Sequence, residues 1–473
     1  MKEKQESFYL ASESVGRLLV RFAVPCVLSL LVSALYNIVD QIFIGQSVGY
    51  LGNAATTVVY PFTVIALALA LLLGDGGAAL LSLALGAGDQ ETGRHCVGSC
   101  LTLTLLVSLV LTAAGFLWMD SILHLFGVTE ASYAYAQQYL QIILIGIPFY
   151  MLTSSLNATI RADGAPAFAM CATVLGAVLN LILDPVAIFV FHMGVQGAAI
   201  ATVVGQVASC VMTLLYFRRP KTFQLEKRSF RPHARLTGRI CQLGISSFIT
   251  QISIVIITCV ANNLCVSYGT HSVYGADIPL SALGIVFKVF GIVIAFAVGI
   301  AVGGQPIIGY NYGAGNHQRV FAAYRLILLA DAVVGVVAML LFELVPQHIV
   351  SLFGNESALY NEYAILCFRI YLGGILLCCL QKASSIFLQS IGRPVQATAL
   401  SLARDVIFLV PGVVILARIS GVTGMLWAGP IADVLSAILT VVLIAAELVS
   451  MHRRAASSAP VQEGWQTACP DEA

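Results

Sequence analysis

Charge is what this chain most lacks. Only 10% of its 473 residues are Asp, Glu, Lys or Arg, 59% are hydrophobic and the mean hydropathy is +0.92, whereas soluble domains carry about 25% charged and roughly 45 to 50% apolar residues. A soluble globular domain is therefore excluded in favour of an integral membrane protein. The formal net charge is only +1, and no nucleic-acid partner is expected. Twelve cysteines are present, but they are scattered through apolar stretches without a Cys-x-x-Cys pair or a histidine at ligand spacing. They read as small core residues rather than as a metal or disulfide framework. No Walker loop, no His-Glu-x-x-His and no carboxylate-rich metal motif occurs, which argues against an enzyme and against ATP-driven transport.

What is abundant is apolar sequence in runs of about 20 residues or more, enough to cross a hydrocarbon core of roughly 30 Å. Twelve such spans are expected: 18–45, 54–86, 94–119, 133–160, 166–192, 195–217, 241–268, 279–312, 318–345, 362–388, 394–419 and 422–450. Lys2, Lys4 and Arg17 precede the first. Arg94, Arg161, Arg319 and Arg393 fall in alternate short loops, Arg218 to Arg239 form a basic connection between spans six and seven, and Arg453 and Arg454 follow the last span. The opposite loops hold Asp120, Glu130, Asp277 and Glu356, with Arg418 the one basic exception. By the positive-inside rule both termini are cytoplasmic, and the expected location is the bacterial inner membrane. The first run is too long for a cleavable signal peptide and is expected to insert itself.

A shift of about 227 residues superposes the chain on itself. Gly86-Ala87-Gly88-Asp89 falls on Gly313-Ala314-Gly315-Asn316, Phe126-Gly127 on Phe353-Gly354, and Gly194-Val195-x-Gly197 on Gly421-Val422-x-Gly424, while Gly164-x-Pro166 meets Gly392-x-Pro394 with one residue more. Four matches in order indicate a duplication. The expected fold is all-α, with twelve transmembrane helices in two six-helix lobes related by a pseudo-twofold along the membrane normal, around a central cleft. The corresponding division is a cytoplasmic segment 1–17, an N-lobe 18–217, a basic linker 218–240, a C-lobe 241–450 and a cytoplasmic tail 451–473. Spans two and eight are long enough to reach roughly 50 Å. For Gly291, Gly299, Gly303, Gly304 and Pro306 in span eight, close helix packing is the preferred reading over hinging.

The polar residues inside the spans carry the functional reading. Asn180 and Asp184 lie four apart, so their side chains share a helix face, and Pro185 withholds the amide that the Leu181 carbonyl would otherwise accept. Counted from the same ends of their spans, Asp40, Asp184 and Thr202 lie at roughly 7 to 12 Å depth, with Asn180 one turn deeper. Two carboxylates, an amide and a hydroxyl can supply the hard oxygens of a sodium site or hold a proton between them. An ionisable group inside a membrane helix is a functional site by default. Asp40, Asp75 and Asp184 have no obvious basic partner in the first lobe. In the second lobe Arg404 and Asp433 fall at similar depth and are expected to neutralise each other as a structural ion pair. Lys288 has no assignable partner.

These residues resemble the MATE (multidrug and toxic compound extrusion) family over nearly the whole chain. The resemblance rests on Pro25 with Leu35-Tyr36-Asn37-x-Val39-Asp40-x-x-Phe43-Ile44-Gly45, Gly86-Ala87-Gly88-Asp89, Asn180-x-x-x-Asp184-Pro185, and Gln305-Pro306-x-x-Gly309-Tyr310-Asn311-Tyr312-Gly313-Ala314. It implies two lobes around a cleft and export of bulky amphipathic, often cationic compounds, driven by H+ or Na+ entry, with no other cofactor and no metal beyond Na+. It also implies a cation site at Asp40, Asn180, Asp184 and Thr202, with Tyr36 and Asn157 at positions that line the drug cleft in some members. The acidic residues that some members carry in spans seven and ten are absent, which argues against a second-lobe cation site, and Asp75 stands where a small residue is usual. A lipid or lipid-linked saccharide flippase is the main alternative, but a pyrophosphate headgroup calls for a basic cleft and the first lobe is acidic. A passive channel is a further alternative. A chain that carries both lobes is expected to work as a monomer.

Overall fold

The computed structural model describes residues 9–275, 277–353 and 358–456. Lys2, Lys4, Gly354, Glu356 and the tail from residue 457 lie outside them, as do the side chains of Asp277, Phe353, Arg453 and Arg454. The described chain is almost entirely helical. Its long helices are α1 (Val15–Val48), α2 (Tyr50–Gly86), α3 (Gln90–Leu117), α4 (Glu130–Ala162), α5 (Pro166–Pro185), α6 (Gly194–Tyr216), α7 (Ala234–Gly269), α8 (Asp277–Gly313) and α9 (His317–Leu344). Then come α10, broken into Ala358–Tyr371 and Ile375–Ser390 with a 46° bend, α11 (Pro394–Gly424, with a π-helical stretch Ala403–Phe408 inside it) and α12 (Ala428–Ala456).

Among the described residues ten helices are long and apolar enough to cross a membrane, and the bent α10 makes an eleventh. One of the ten is a continuous run of 58 residues, Pro394–Met451, far longer than the roughly 20 residues one crossing needs. Its helical geometry breaks at Ser420 and at Gly421, whose φ is +63°, so it forms two crossings and the total is twelve. Gly421 matches Gly194, which has φ +55° at the start of α6. Both are glycine because an L side chain is strained in that region. Large apolar side chains such as Val20, Val110, Leu117, Ile182, Val333, Ile415 and Val441 are exposed, as a lipid-facing surface requires.

The packing repeats with the sequence. In the first half α1 packs on α5, α2 on α4, and α4 on α6; in the second, α7 packs on α11, α8 on α10, and α10 on α12. The halves meet mainly through α1 with α8 and α2 with α7, two pairs that a twofold axis exchanges. Glycine permits the meeting. A Cβ on Gly86 would collide with the carbonyl oxygen of Tyr310, and one on Gly313 with that of Leu83, positions related by the same shift of 227. Gly76 lies against Ile240, Gly244 against Leu72, Gly299 against Val27 and Gly303 against Ala23. All lie in the halves of their helices nearest the chain termini, where they close the cleft. The expectation that Gly299 and Gly303 serve packing agrees with these contacts. Gly304 packs against Ile327, whereas Gly291 has nothing near it.

Candidate functional site

The α5 helix stops at Pro185 and continues as a π-helical turn, Val186–Val190. A proline deprives the preceding turn of one amide bond, and π-turns absorb such irregularity. The expected break at Pro185 is thus a change of helix type immediately after Asp184. On the inner face of α5, Asn180 and Asp184 are buried, and the Asn180 Nδ2 donates to Asp184 Oδ1 at 3.1 Å and to Thr202 Oγ1 of α6 at 3.2 Å. Asp40, buried on α1, directs its carboxyl at that of Asp184 closely enough for direct interaction. The three residues that share a depth in the sequence, and Asn180 one turn deeper, therefore come together.

Three oxygens at this site have no partner: Asp40 Oδ1, Asn180 Oδ1 and Asp184 Oδ2. Buried polar atoms are nearly always satisfied by protein, water or an ion, and two buried carboxylates facing each other repel unless a positive charge lies between them. The donor set is entirely oxygen, which suits a proton shared by the carboxyls or a hard monovalent cation. Among the described residues no group of His, Cys, Asp and Glu has the arrangement of a multivalent metal site. Two tyrosines lie within electrostatic reach of both acids: Tyr36 of α1 and Tyr139 of α4. Tyr139 was not among the expected site residues. The signal was nevertheless present, since it lies about six residues into span four, or roughly 9 Å, the same depth as the acids.

A cavity of about 400 Å³ adjoins the cluster. Asn180 and Thr202 line it, and so do Tyr36, Asn37, Tyr150, Asn157 and Gln206; Gln251, Val298 and Val302 are the second-lobe contributors. Tyr36 therefore faces both the acids and the cavity. Asn157 borders the cavity, but its polar atoms are engaged: Nδ2 donates to Thr173 Oγ1 at 3.2 Å, and Oδ1 accepts from Thr213 Oγ1 at 3.3 Å. It ties α4 to α5 and α6 at the cavity wall.

One expectation is corrected here. Asp75 does have a basic partner, because Arg161 is not in a loop. It occupies the last turn of α4, a favourable place for a cation, and its guanidinium lies 3.8 Å from Asp75 Oδ1. Both residues line the cavity. Asp75 Oδ2 also accepts from Ser247 Oγ of α7 at 2.9 Å, and Gln389 Nε2 of α10 donates to that Ser247 oxygen at 3.3 Å and to the Leu243 carbonyl at 2.7 Å. Asp75 thus belongs to a polar tie between the lobes, which explains an acid in a glycine-rich stretch. Hydropathy could not reveal the Arg161 pairing, since it depends on α2 and α4 lying side by side.

In the second lobe the expected pair of Arg404 and Asp433 is formed, Nε to Oδ1, at 2.9 Å. It belongs to a larger cluster in which Arg404 also reaches Asp405 at 2.7 Å and Lys382 reaches Asp405 at 2.6 Å. Two cations and two anions balance there. Lys288 lies exposed on α8. Outside the spans Asp163, buried just past α4, accepts from Tyr216 Oη at 2.5 Å, from the amides of Lys221 and Thr222 at 2.8 and 3.0 Å, and from the Thr222 hydroxyl. It pins the start of the inter-lobe connection to the first lobe.

With this geometry in hand, the comparisons with known proteins are consistent with one another. A family profile described as MatE matches residues 25–186 and 247–415. The multidrug export protein MepA of Staphylococcus aureus is 25% identical over 445 residues, covering 94% of this chain and 96% of that protein. The MATE multidrug transporter DinF-BH, solved as a ligand complex, is 34% identical and superposes with a TM-score of 0.86, covering 92% of this chain and 96% of that one. A MATE structure in complex with MaL6 superposes with a TM-score of 0.87 over 95% of this chain at 22% identity, which speaks for the fold alone.

Proposed function

Because the chain belongs to the MatE family, we propose that it is a multi-pass secondary transporter of the cytoplasmic membrane, with both termini inside, that exports amphipathic organic compounds by alternating access, coupled to the entry of H+ or Na+ at Asp40, Asn180, Asp184 and Thr202. The observation that carries the coupling site is the convergence of three unpartnered buried oxygens on two facing carboxyls. Such a cluster attracts one cation strongly and releases it only into a wetter environment. The substrate class is supported by the multidrug relatives and by the cavity, whose exposed wall is largely apolar with polar side chains among it and whose single basic residue, Arg161, lies beside Asp75. A flippase for pyrophosphate-linked lipids calls for free basic side chains that this wall lacks.

The mechanism follows from one charge. With the site empty, two buried carboxylates oppose closing the first lobe into a drier state; a bound cation removes that cost. The weakened backbone after Asp184 gives the lobe a place to change shape. One charge entering down 100 mV supplies about 2.3 kcal/mol, so even one cation per cycle is a useful driving force. The direct test is efflux of a fluorescent cationic dye from proteoliposomes with the proton and sodium gradients imposed separately. Uphill dye movement driven by one gradient is expected and identifies the ion. Equal movement with neither gradient would exclude coupled export.

A further inference from the structure

The second lobe contains one acid that its ion cluster does not absorb. Asp331, in the middle of α9, is 0% exposed, and neither carboxyl oxygen has a hydrogen-bond partner. The other second-lobe acids buried in the helices are paired: Asp405 and Asp433 with Lys382 and Arg404, Glu447 with Arg393. The Cys379 thiol of α10 lies within electrostatic reach of Asp331. Lys382, the basic residue nearest along α10, is turned to Asp405 at 2.6 Å, and Arg325, on the preceding turns of α9, is exposed. Among the described residues no charged side chain from α1, α8 or α10 bears on the acid. On either side of it the helices are in close contact, Ile327 against Gly304 of α8 and Gly335 against the Leu376 backbone of α10.

The duplication shows that this is not an inherited structural bond. The shift of 227 brings Asp331 onto Thr104, whose hydroxyl in the first lobe donates to Ser155 Oγ at 3.0 Å between α3 and α4. Past the irregular stretch of α10 the shift is 228, as Gly164 and Gly392 require, and the residue matching Ser155 is Ala383. The second lobe therefore places an ionisable group where the first has a hydroxyl, and a methyl where the first has its partner. An unpaired carboxylate in such surroundings is prohibitively costly, whereas the neutral acid is not.

We propose that Asp331 is a second proton-binding site, separate from the first-lobe cluster: a carboxyl that holds a proton in this conformation and exchanges it when the α9–α10 contact rearranges during transport. The binding is simple protonation of a carboxylate oxygen by a water-borne proton, with no other reactant.

The test uses the purified full chain. Infrared spectroscopy across a pH titration is expected to show a protonated-carboxyl carbonyl band that disappears in Asp331→Asn, and dye export by that variant in proteoliposomes is expected to lose part of its dependence on pH. Should Asp331→Asn fail to accumulate, Ala383→Ser tests the same idea with the acid intact. It restores the hydroxyl that the first lobe has at this position, now free to donate to a carboxylate, favours the ionised form, and should move the loss of the band to lower pH by about one unit. The proposal is overturned if Asp331→Asn removes no carboxylic-acid band, if its export follows the wild-type pH profile, or if Ala383→Ser leaves the band's titration unmoved.

Discussion

Asp40 and Asp184 are the only ionisable side chains in the proposed coupling cluster of Asp40, Asn180, Asp184 and Thr202. Their carboxyls face each other across α1 and α5, with Asn180 bridging to Thr202. Asp40→Asn and Asp184→Asn are each expected to retain dye binding in detergent while abolishing gradient-driven export, because the amide neither binds a proton nor supplies the missing charge. Thr202→Ala removes one oxygen of several and should reduce export only partly. An Asp184→Asn protein, present at normal levels, that still exports dye uphill with unchanged pH and sodium dependence would remove the site from the mechanism. At the second-lobe cluster, Arg404→Ala strands Asp433 and leaves Asp405 with Lys382 alone. Losing one member of a buried pair costs about 3 to 5 kcal/mol, so thermal unfolding in detergent should show a large loss for Arg404→Ala. The double change Arg404→Ala with Asp433→Ala, which restores neutrality, should lose less. Additive losses would show that the two do not act as a pair.

Among the elements, α5 is the one whose irregularity matters most. Its α-helical part ends at Pro185 and passes into the π-helical turn Val186–Val190, so the acid at its end sits on backbone already loosened. Pro185→Ala returns the missing amide to the Leu181 carbonyl. The expected result is a protein that binds dye normally and unfolds at the same or a higher temperature, but turns over more slowly. Export at the wild-type rate would show that the break has no part in the cycle. The π-helical stretch of α11, Ala403–Phe408, contains Arg404 and Asp405, so the corresponding helix of the second lobe is also irregular beside its charges. There, however, the charges neutralise one another.

At the scale of the whole molecule, two lobes meet backbone to backbone through glycines at the end of the cleft nearest the termini, and through the Asp75–Ser247–Gln389 tie. Adding a methyl at Gly86 or Gly313 pushes on a carbonyl of the opposite lobe, and overpacking of this kind costs typically about 1 to 3 kcal/mol. Conformations of a transporter differ by only a few kcal/mol. Gly313→Ala is therefore expected to shift the population away from closure at that end, read as a longer separation between spin labels placed there on α2 and α8. An unchanged distance distribution would mean that these contacts do not set the balance. Since one chain holds both lobes, vesicles reconstituted with single copies should export at the full rate per molecule. Activity only above a threshold density would argue against a working monomer.

The sequence alone determined the membrane setting, the duplication, the twelve crossings and the common depth of Asp40, Asp184 and Thr202, because hydropathy, glycine punctuation and a rise of about 1.5 Å per residue are properties of the chain itself. It also placed Arg404 near Asp433. Only the tertiary structure decided which helices are neighbours. That adjacency turned Arg161 from a loop residue into the partner of Asp75, joined Lys382 and Asp405 to the pair at Arg404, and brought Tyr139 to the acids. It left both carboxyl oxygens of Asp331 without a hydrogen-bond partner. Depth is written along one helix and can be counted from its ends, whereas the direction a side chain faces acquires meaning only when a second helix is packed against it.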